Sequence, residues 1–184
     1  MKALCIFCGS SSGVRPDYSD LARALGVSLA RRGIEVVYGG GRVGLMGALA
    51  DAALAAGGRV TGVIPQLLVE KEVGHNGLSE LHIVETMSQR KWLMGELSDA
   101  FLALPGGIGT MDELFEAWTW TQLGLHRKPC GILNFQGYYQ PLIAFLDRAV
   151  EQGFLRPRHR DDLLVDDDLE RLIGSLSERT RGSG

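Results

Sequence analysis

Short runs of almost wholly apolar residues recur along this chain, and longer amphipathic stretches separate them. The runs are "KALCIFC" (2–8), "IEVVY" (34–38), "RVTGVI" (59–64), "LHIVE" (81–85), "DAFLAL" (99–104) and "PCGILN" (129–134). Several lack the in–out alternation of a half-solvated strand, which marks strands buried on both faces of a parallel sheet. The segments between them predict helices near 16–32, 43–56, 87–97, 110–123, 138–152 and 167–179. A short "LLVDD" (163–167) offers a seventh strand. This βαβα order specifies an α/β fold: a Rossmann-like, doubly wound parallel sheet of six or seven strands flanked by helices. A chain of 184 residues, 45% hydrophobic, can bury one substantial core, so residues 1–180 are expected to form one domain. "RGSG" (181–184) is expected to fray.

Charge narrows the choice of partners. A net charge of −3 gives no broad basic surface, so neither nucleic acid nor an anionic membrane is expected as a partner. No apolar run approaches the ~20 residues of a membrane span, and the start of the chain is too short for a secretory leader, which leads us to expect a cytoplasmic protein. Cys5 and Cys8 form a C-x-x-C. Three residues apart on a strand, they point to opposite faces about 10 Å apart, too far for a disulfide. Buried, reduced cysteines are the expected outcome, and neither a metal nor a cofactor is expected.

Three turns between strands and helices are crowded with small residues: "CGSSSG" (8–13), "YGGGRVGLMG" (38–47) and "LPGGIGT" (104–110). In an open parallel sheet such turns gather beyond the carboxyl ends of the strands, where ligands bind. Glycine lets backbone approach a ligand, and the following helix presents unpaired N–H groups to an anion. Gly39, Gly41 and Gly44 read G-x-G-x-x-G, but the acid that would hold a dinucleotide's ribose ~20 residues on is missing. No P-loop motif exists either, so a mononucleotide fits best. Ser10 in the first turn, Gly41 in the second and Gly106, Gly107, Gly109 and Thr110 in the third are candidate contacts. The long "PQLLVEKEVGHNGLSE" (65–80) has no clear period, and its Glu70 and Glu72 are read first as solvated loop residues.

Two uses of Glu113 fit its surroundings. Thr110 and Glu113 form T-x-x-E, a capping box that would close the start of the helix. A carboxylate beside a phosphate site could instead face a cationic centre or a sugar. Thr86 and Gln89 make a second candidate box, which puts Arg90 and Lys91 in a first turn whose dipole disfavours cations. Arg90 shares a helix face with Leu93, Met94 and Leu97, the side directed at the sheet, while Lys91 is rotated away. Arg90 is therefore drawn toward an anion or a polar leaving group, or into a buried pair with Glu113.

"PGGIGTMDE" (105–113) resembles the PGGxGTxxE signature of the Lonely-guy (LOG) family, the cytokinin riboside 5′-monophosphate phosphoribohydrolases. "YGGGRVGLMG", "FCGSSSG" and "MSQRK" (87–91) are similar to that family in the expected order, and the likeness runs from about residue 2 to 155. Ser88 departs from it, standing where members commonly have histidine. The family often carries an older lysine decarboxylase label, which no lysine in a recognisable pyridoxal phosphate site supports here. The resemblance implies hydrolysis of a purine riboside 5′-monophosphate to free base and ribose 5-phosphate. It assigns catalysis to Glu113 and Arg90, and phosphate to Gly107, Gly109 and Thr110. It adds substrate contacts at Lys91 and Thr119, less securely at Glu72, and places Met87 and Met46 at the base or in the core. It also implies a homodimer with sites at the subunit interface, in agreement with a helix from 110 that is apolar on two sides. Met111, Leu114, Phe115 and Trp118 form one stripe; Trp120 and Leu123 lie nearly opposite. Two alternatives stay open: a general AMP or purine-nucleotide nucleosidase, and a non-catalytic carrier of nucleotide or molybdenum cofactor with the same fold.

Overall fold

The computed structural model describes residues 1–69 and 74–182. Seven strands form one parallel sheet: β1 (Ala3–Phe7), β2 (Glu35–Tyr38), β3 (Val60–Pro65), β4 (Glu80–Val84), β5 (Ala100–Ala103), β6 (Cys130–Leu133) and β7 (Leu163–Asp166). Their spatial order is β4-β3-β2-β1-β5-β6-β7, every pairing parallel. The chain first builds outward from β1 to β4, then returns to place β5 on β1's other side. Succession reverses at the β1/β5 boundary, which makes it the topological switch point, the place where an open α/β sheet leaves a crevice.

Helices cover both faces, as doubly apolar strands require. One face carries α1 (Pro16–Arg31), α2 (Gly44–Ala55) and α8 (Leu169–Gly182), packed on Leu4, Ile6, Cys8, Val36 and Leu102. The other carries α4 (Met87–Glu96), α5 (Ile108–Gln122) and α6 (Gln140–Glu151), packed on Ala3, Cys5, Phe7, Val37 and Phe101. Alternate residues of β1 thus serve opposite cores, the period-2 rule at work. Cys5 and Cys8 fall on opposite sides, and all three cysteines are buried and unbridged.

Outside the glycine-rich turns, sequence and structure differ at two connections and at the end of the chain. A four-residue helix, α3 (Gln66–Val69), begins the long 65–80 connection, and α7 (Pro157–Asp162) precedes β7. Glu70 and Glu72 lie outside the described residues. Helix α8 continues to Gly182, over the first half of the expected tail.

Candidate active site

Gly9 joins the three glycine-rich turns. Its N–H donates to the Pro105 carbonyl at 3.3 Å, and its carbonyl accepts from Leu45 N–H at 3.0 Å. A Cβ on Gly44, whose φ is +64°, would lie 2.3 Å from the Ser10 carbonyl carbon, so the first and second turns touch through backbone. A Cβ on Gly106 would lie 2.1 Å from Thr110 Oγ1 and 2.9 Å from Gly9 N. These glycines are required by chain crossing chain at the C-terminal edge of the sheet.

The second turn is partly filled by protein. Gly41 is buried and forms an isolated antiparallel bridge with Gly74, and His75 N–H donates to the Gly40 carbonyl at 3.1 Å. Gly74 and His75 therefore lie against the second turn, close to where a dinucleotide's phosphates would need room. Ser10 and Gly107 are exposed around a cavity of about 270 Å³ over the switch point, with Ser11, Ser12, Tyr18, Leu45 and Tyr138 among its other walls. A larger cavity, about 440 Å³, lies at the opposite edge of the sheet around Lys2, Asp99 and Lys128, away from the glycine turns.

Helix α5 begins two residues earlier than its sequence pattern suggested. Gly107 is the N-cap, Ile108 and Gly109 open the helix, and no side chain caps it. Thr110 is the third helical residue, buried beneath Gly106, so a Thr110–Glu113 capping box does not form. No acid occupies the first turn. The first amides of α5 remain available to an anion, with the positive end of the helix dipole behind them.

Glu113 falls one turn deeper and meets Arg90. The Arg90 Nη2 and Glu113 Oε1 atoms stand 3.8 Å apart, with side chains 6% and 11% exposed. That spacing is too long for a hydrogen bond. Arg90 also bonds its own scaffold: Nη2 donates to the Gly39 carbonyl at 3.0 Å, and Nη1 approaches Met87 Sδ at 3.9 Å. A Cβ on Gly39 would lie 1.7 Å from Nη2, so that glycine makes room for the guanidinium. The Cys8 thiol beneath registers both charges. Burial pushes its pKa far up, Glu113 adds to the rise and Arg90 opposes it. Cys8 is buried in the core, where the protonated thiol is favoured.

Other expected residues lie further out. Lys91 points to α5's outer side, 2.8 Å from Glu116 and 3.0 Å from Asp112. Burial lowers its pKa, but the hydrogen bonds to these two carboxylates outweigh that and raise it overall. Thr119 is exposed on α5, six residues beyond Glu113 and hence about 9 Å along the axis. Met87 is exposed beside Arg90, whereas Met46 is buried with α2 in the core. Among the described residues no cluster of His, Cys, Asp and Glu resembles a metal site.

Comparison with known proteins shows which family the chain belongs to. The family profile described as "Possible lysine decarboxylase" matches residues 46–176. A cytokinin riboside 5′-monophosphate phosphoribohydrolase of Rhodococcoides fascians is 49% identical, over 95% of this chain and 89% of its own. An enzyme of the same name from Arabidopsis thaliana is 47% identical, over 96% and 82%. The chain belongs to the Lonely-guy family. Fold likeness reaches further than the family's sequences do. The molybdenum cofactor carrier protein of Chlamydomonas reinhardtii superposes with a TM-score of 0.73 over 98% of both chains, at 19% identity. That likeness concerns the fold alone. Sequence reasoning did not single out Gly9, within the serine-rich first turn, or Tyr138 and Tyr139, within the stretch similar to the family, whose contacts with the PGG turn arise only on folding.

Proposed function

We propose that this protein hydrolyses the N-glycosidic bond of a cytokinin riboside 5′-monophosphate, releasing the purine base and ribose 5-phosphate. Relatives sharing nearly half of its residues carry that activity in their names. The observation that carries the residue assignment is the near-buried Arg90–Glu113 pair beside an uncapped helix start. The α5 start and the 105–110 turn take the phosphate through the Gly107, Gly109 and Thr110 amides. Glu113 then faces C1′, where positive charge develops as the glycosidic bond lengthens. The C1′–N9 electron pair leaves with the purine. Water supplies hydroxide to C1′ and, in net balance, one proton to the base; Glu113 orients that water, and Arg90 offers its N–H groups to the departing purine.

Support for a homodimer comes from the α4–α5 side. Trp92 is 56% exposed and packs edge-on against Trp120 at 5.6 Å, while Leu123 and Leu125 are 66% and 64% exposed. A second copy covering this face would bring its own residues near Thr119 and so complete each site. Light scattering is expected to give a dimer mass for the wild type and a monomer mass for Trp92→Glu. Among the described residues no helix is long and apolar enough to cross a membrane. Three buried free thiols suit a reducing compartment, and we place the reaction in the cytoplasm.

The test is incubation with isopentenyladenosine monophosphate and with AMP, measuring free base and ribose 5-phosphate. Base is expected from the first, with loss of turnover in Arg90→Ala and Glu113→Ala that stay folded. Turnover of AMP alone would make the protein a general nucleotide nucleosidase, and binding without turnover would make it a carrier.

A further inference from the structure

Two consecutive tyrosines from the β6–α6 connection hold the PGG turn from outside. Tyr139 Oη donates to the Leu104 carbonyl at 2.6 Å, and Tyr138 Oη donates to the Gly106 carbonyl at 2.8 Å. The two bonds flank Pro105. Tyr139 is buried, so its hydroxyl must find a protein partner. Tyr138 is exposed, so water was available to its hydroxyl, and burial does not force its bond to Gly106. Its ring is fixed by edge-on contacts with Tyr18 at 5.8 Å and Tyr139 at 4.9 Å. The turn before it is held as well. Gln136 adopts φ +51°, unusual for a residue with a side chain, and that side chain bonds Arg15 and Asp17.

The Gly106 carbonyl and the Gly107 N–H belong to one peptide unit, and no peptide bond in the described chain is cis. In a planar trans peptide these two groups point in opposite directions. Holding the carbonyl at Tyr138 therefore turns the Gly107 N–H away from Tyr138. Among the described residues no acceptor takes that N–H. Resting on the phosphate-cradle reading above, we infer that Tyr138 is a positioning residue for the substrate's 5′-phosphate: its hydroxyl sets the orientation of the Gly106–Gly107 peptide and so aims the Gly107 N–H at the phosphate. Tyr139 anchors the same turn for folding. The pair divides the work, one hydroxyl serving the core and the other serving recognition of a phosphomonoester.

The experiment compares Tyr138→Phe and Tyr139→Phe with the wild type. For Tyr138→Phe, KM for the nucleoside monophosphate is expected to rise roughly three- to ten-fold, the worth of one hydrogen bond, with kcat within about two-fold. Inhibition by ribose 5-phosphate weakens by the same factor, while inhibition by free adenine, which lacks the phosphate, does not change. Tyr139→Phe is expected to lower Tm more than Tyr138→Phe does. Unchanged KM and unchanged ribose 5-phosphate inhibition in Tyr138→Phe would overturn the inference, as would equal weakening toward ribose 5-phosphate and adenine. Calorimetric titration with ribose 5-phosphate makes the same comparison without turnover. A wild type inactive on every nucleotide would thus defeat the hydrolase reading, and the titration would still decide the role of Tyr138.

Discussion

Helices α4 and α5 start side by side at the same edge of the sheet with near-identical signals, T-x-x-Q and T-x-x-E, yet only one start is closed. At α4, Thr86 Oγ1 accepts from Gln89 N–H at 3.1 Å, and Gln89 Oε1 accepts from Thr86 N–H at 3.2 Å and Glu85 N–H at 2.8 Å. The box is complete, and it satisfies the Thr86 and Gln89 amides. At α5 the helix begins ahead of the threonine, Gly107 caps it without a side chain, and Glu113 sits one turn further in, facing Arg90. The difference is one of register. A threonine before the first turn seals a helix; the same residue three places inside leaves the amides for a ligand and turns the acid toward the site.

Substitutions can break that contrast, and the largest effect is expected at the open start. Glu113→Gln keeps the shape of the side chain and removes its charge. Base release is expected to fall by roughly 10²-fold or more with Tm little changed. A variant that melted early but retained turnover would return Glu113 to a structural role. Closing α5 is the next test. A Cβ on Gly107 would meet open space, and its φ of −100° suits any residue, so Gly107→Asp can supply the missing cap. Stability is expected to rise by a few tenths of a kcal/mol. Affinity for nucleoside monophosphate is expected to fall more than about ten-fold, since a carboxylate then occupies the amides and repels phosphate; unchanged affinity would place the phosphate elsewhere.

The closed start gives the converse. Thr86→Ala is expected to cost about 1 kcal/mol in denaturant unfolding and to leave kcat/KM of the folded enzyme near the wild-type value. The smallest effect concerns Lys91, which ties α4 to α5 through Asp112 and Glu116. Its pKa is raised on folding, so its stabilisation is present below the ordinary lysine value and is lost as pH rises through the raised one. Lys91→Met should cost less than ~1 kcal/mol at neutral pH, because the pair is partly solvated. The gap from wild type should close in alkaline solution.

Sequence conveyed more of the fold than of the site. All seven strands were legible to within a residue or two, the inner ones because doubly apolar runs have few other uses in a helix-rich chain. The separation of Cys5 from Cys8 followed from strand periodicity alone. Helix α7 escaped notice because "PRHRDD" has only one buried residue, His159, and so no apolar period. Within the site, Arg90 was legible as a cation placed against a helix dipole and turned inward. The start of α5 was not, because T-x-x-E cannot say whether its threonine lies outside the helix or within it. The pull of Thr110 into the space left by Gly106 decides that, and it is a contact between turn and helix that no local pattern encodes. The filling of the second glycine turn by Gly74 and His75 was hidden for the same reason.

A crystal structure of Glu113→Gln with a bound nucleoside 5′-monophosphate tests the central claim most directly. The phosphate is expected within hydrogen-bond range of the Gly107, Gly109 and Thr110 amides, with the side chain at 113 directed at C1′. A phosphate held away from the start of α5, or a side chain at 113 folded back onto its own helix, would contradict it.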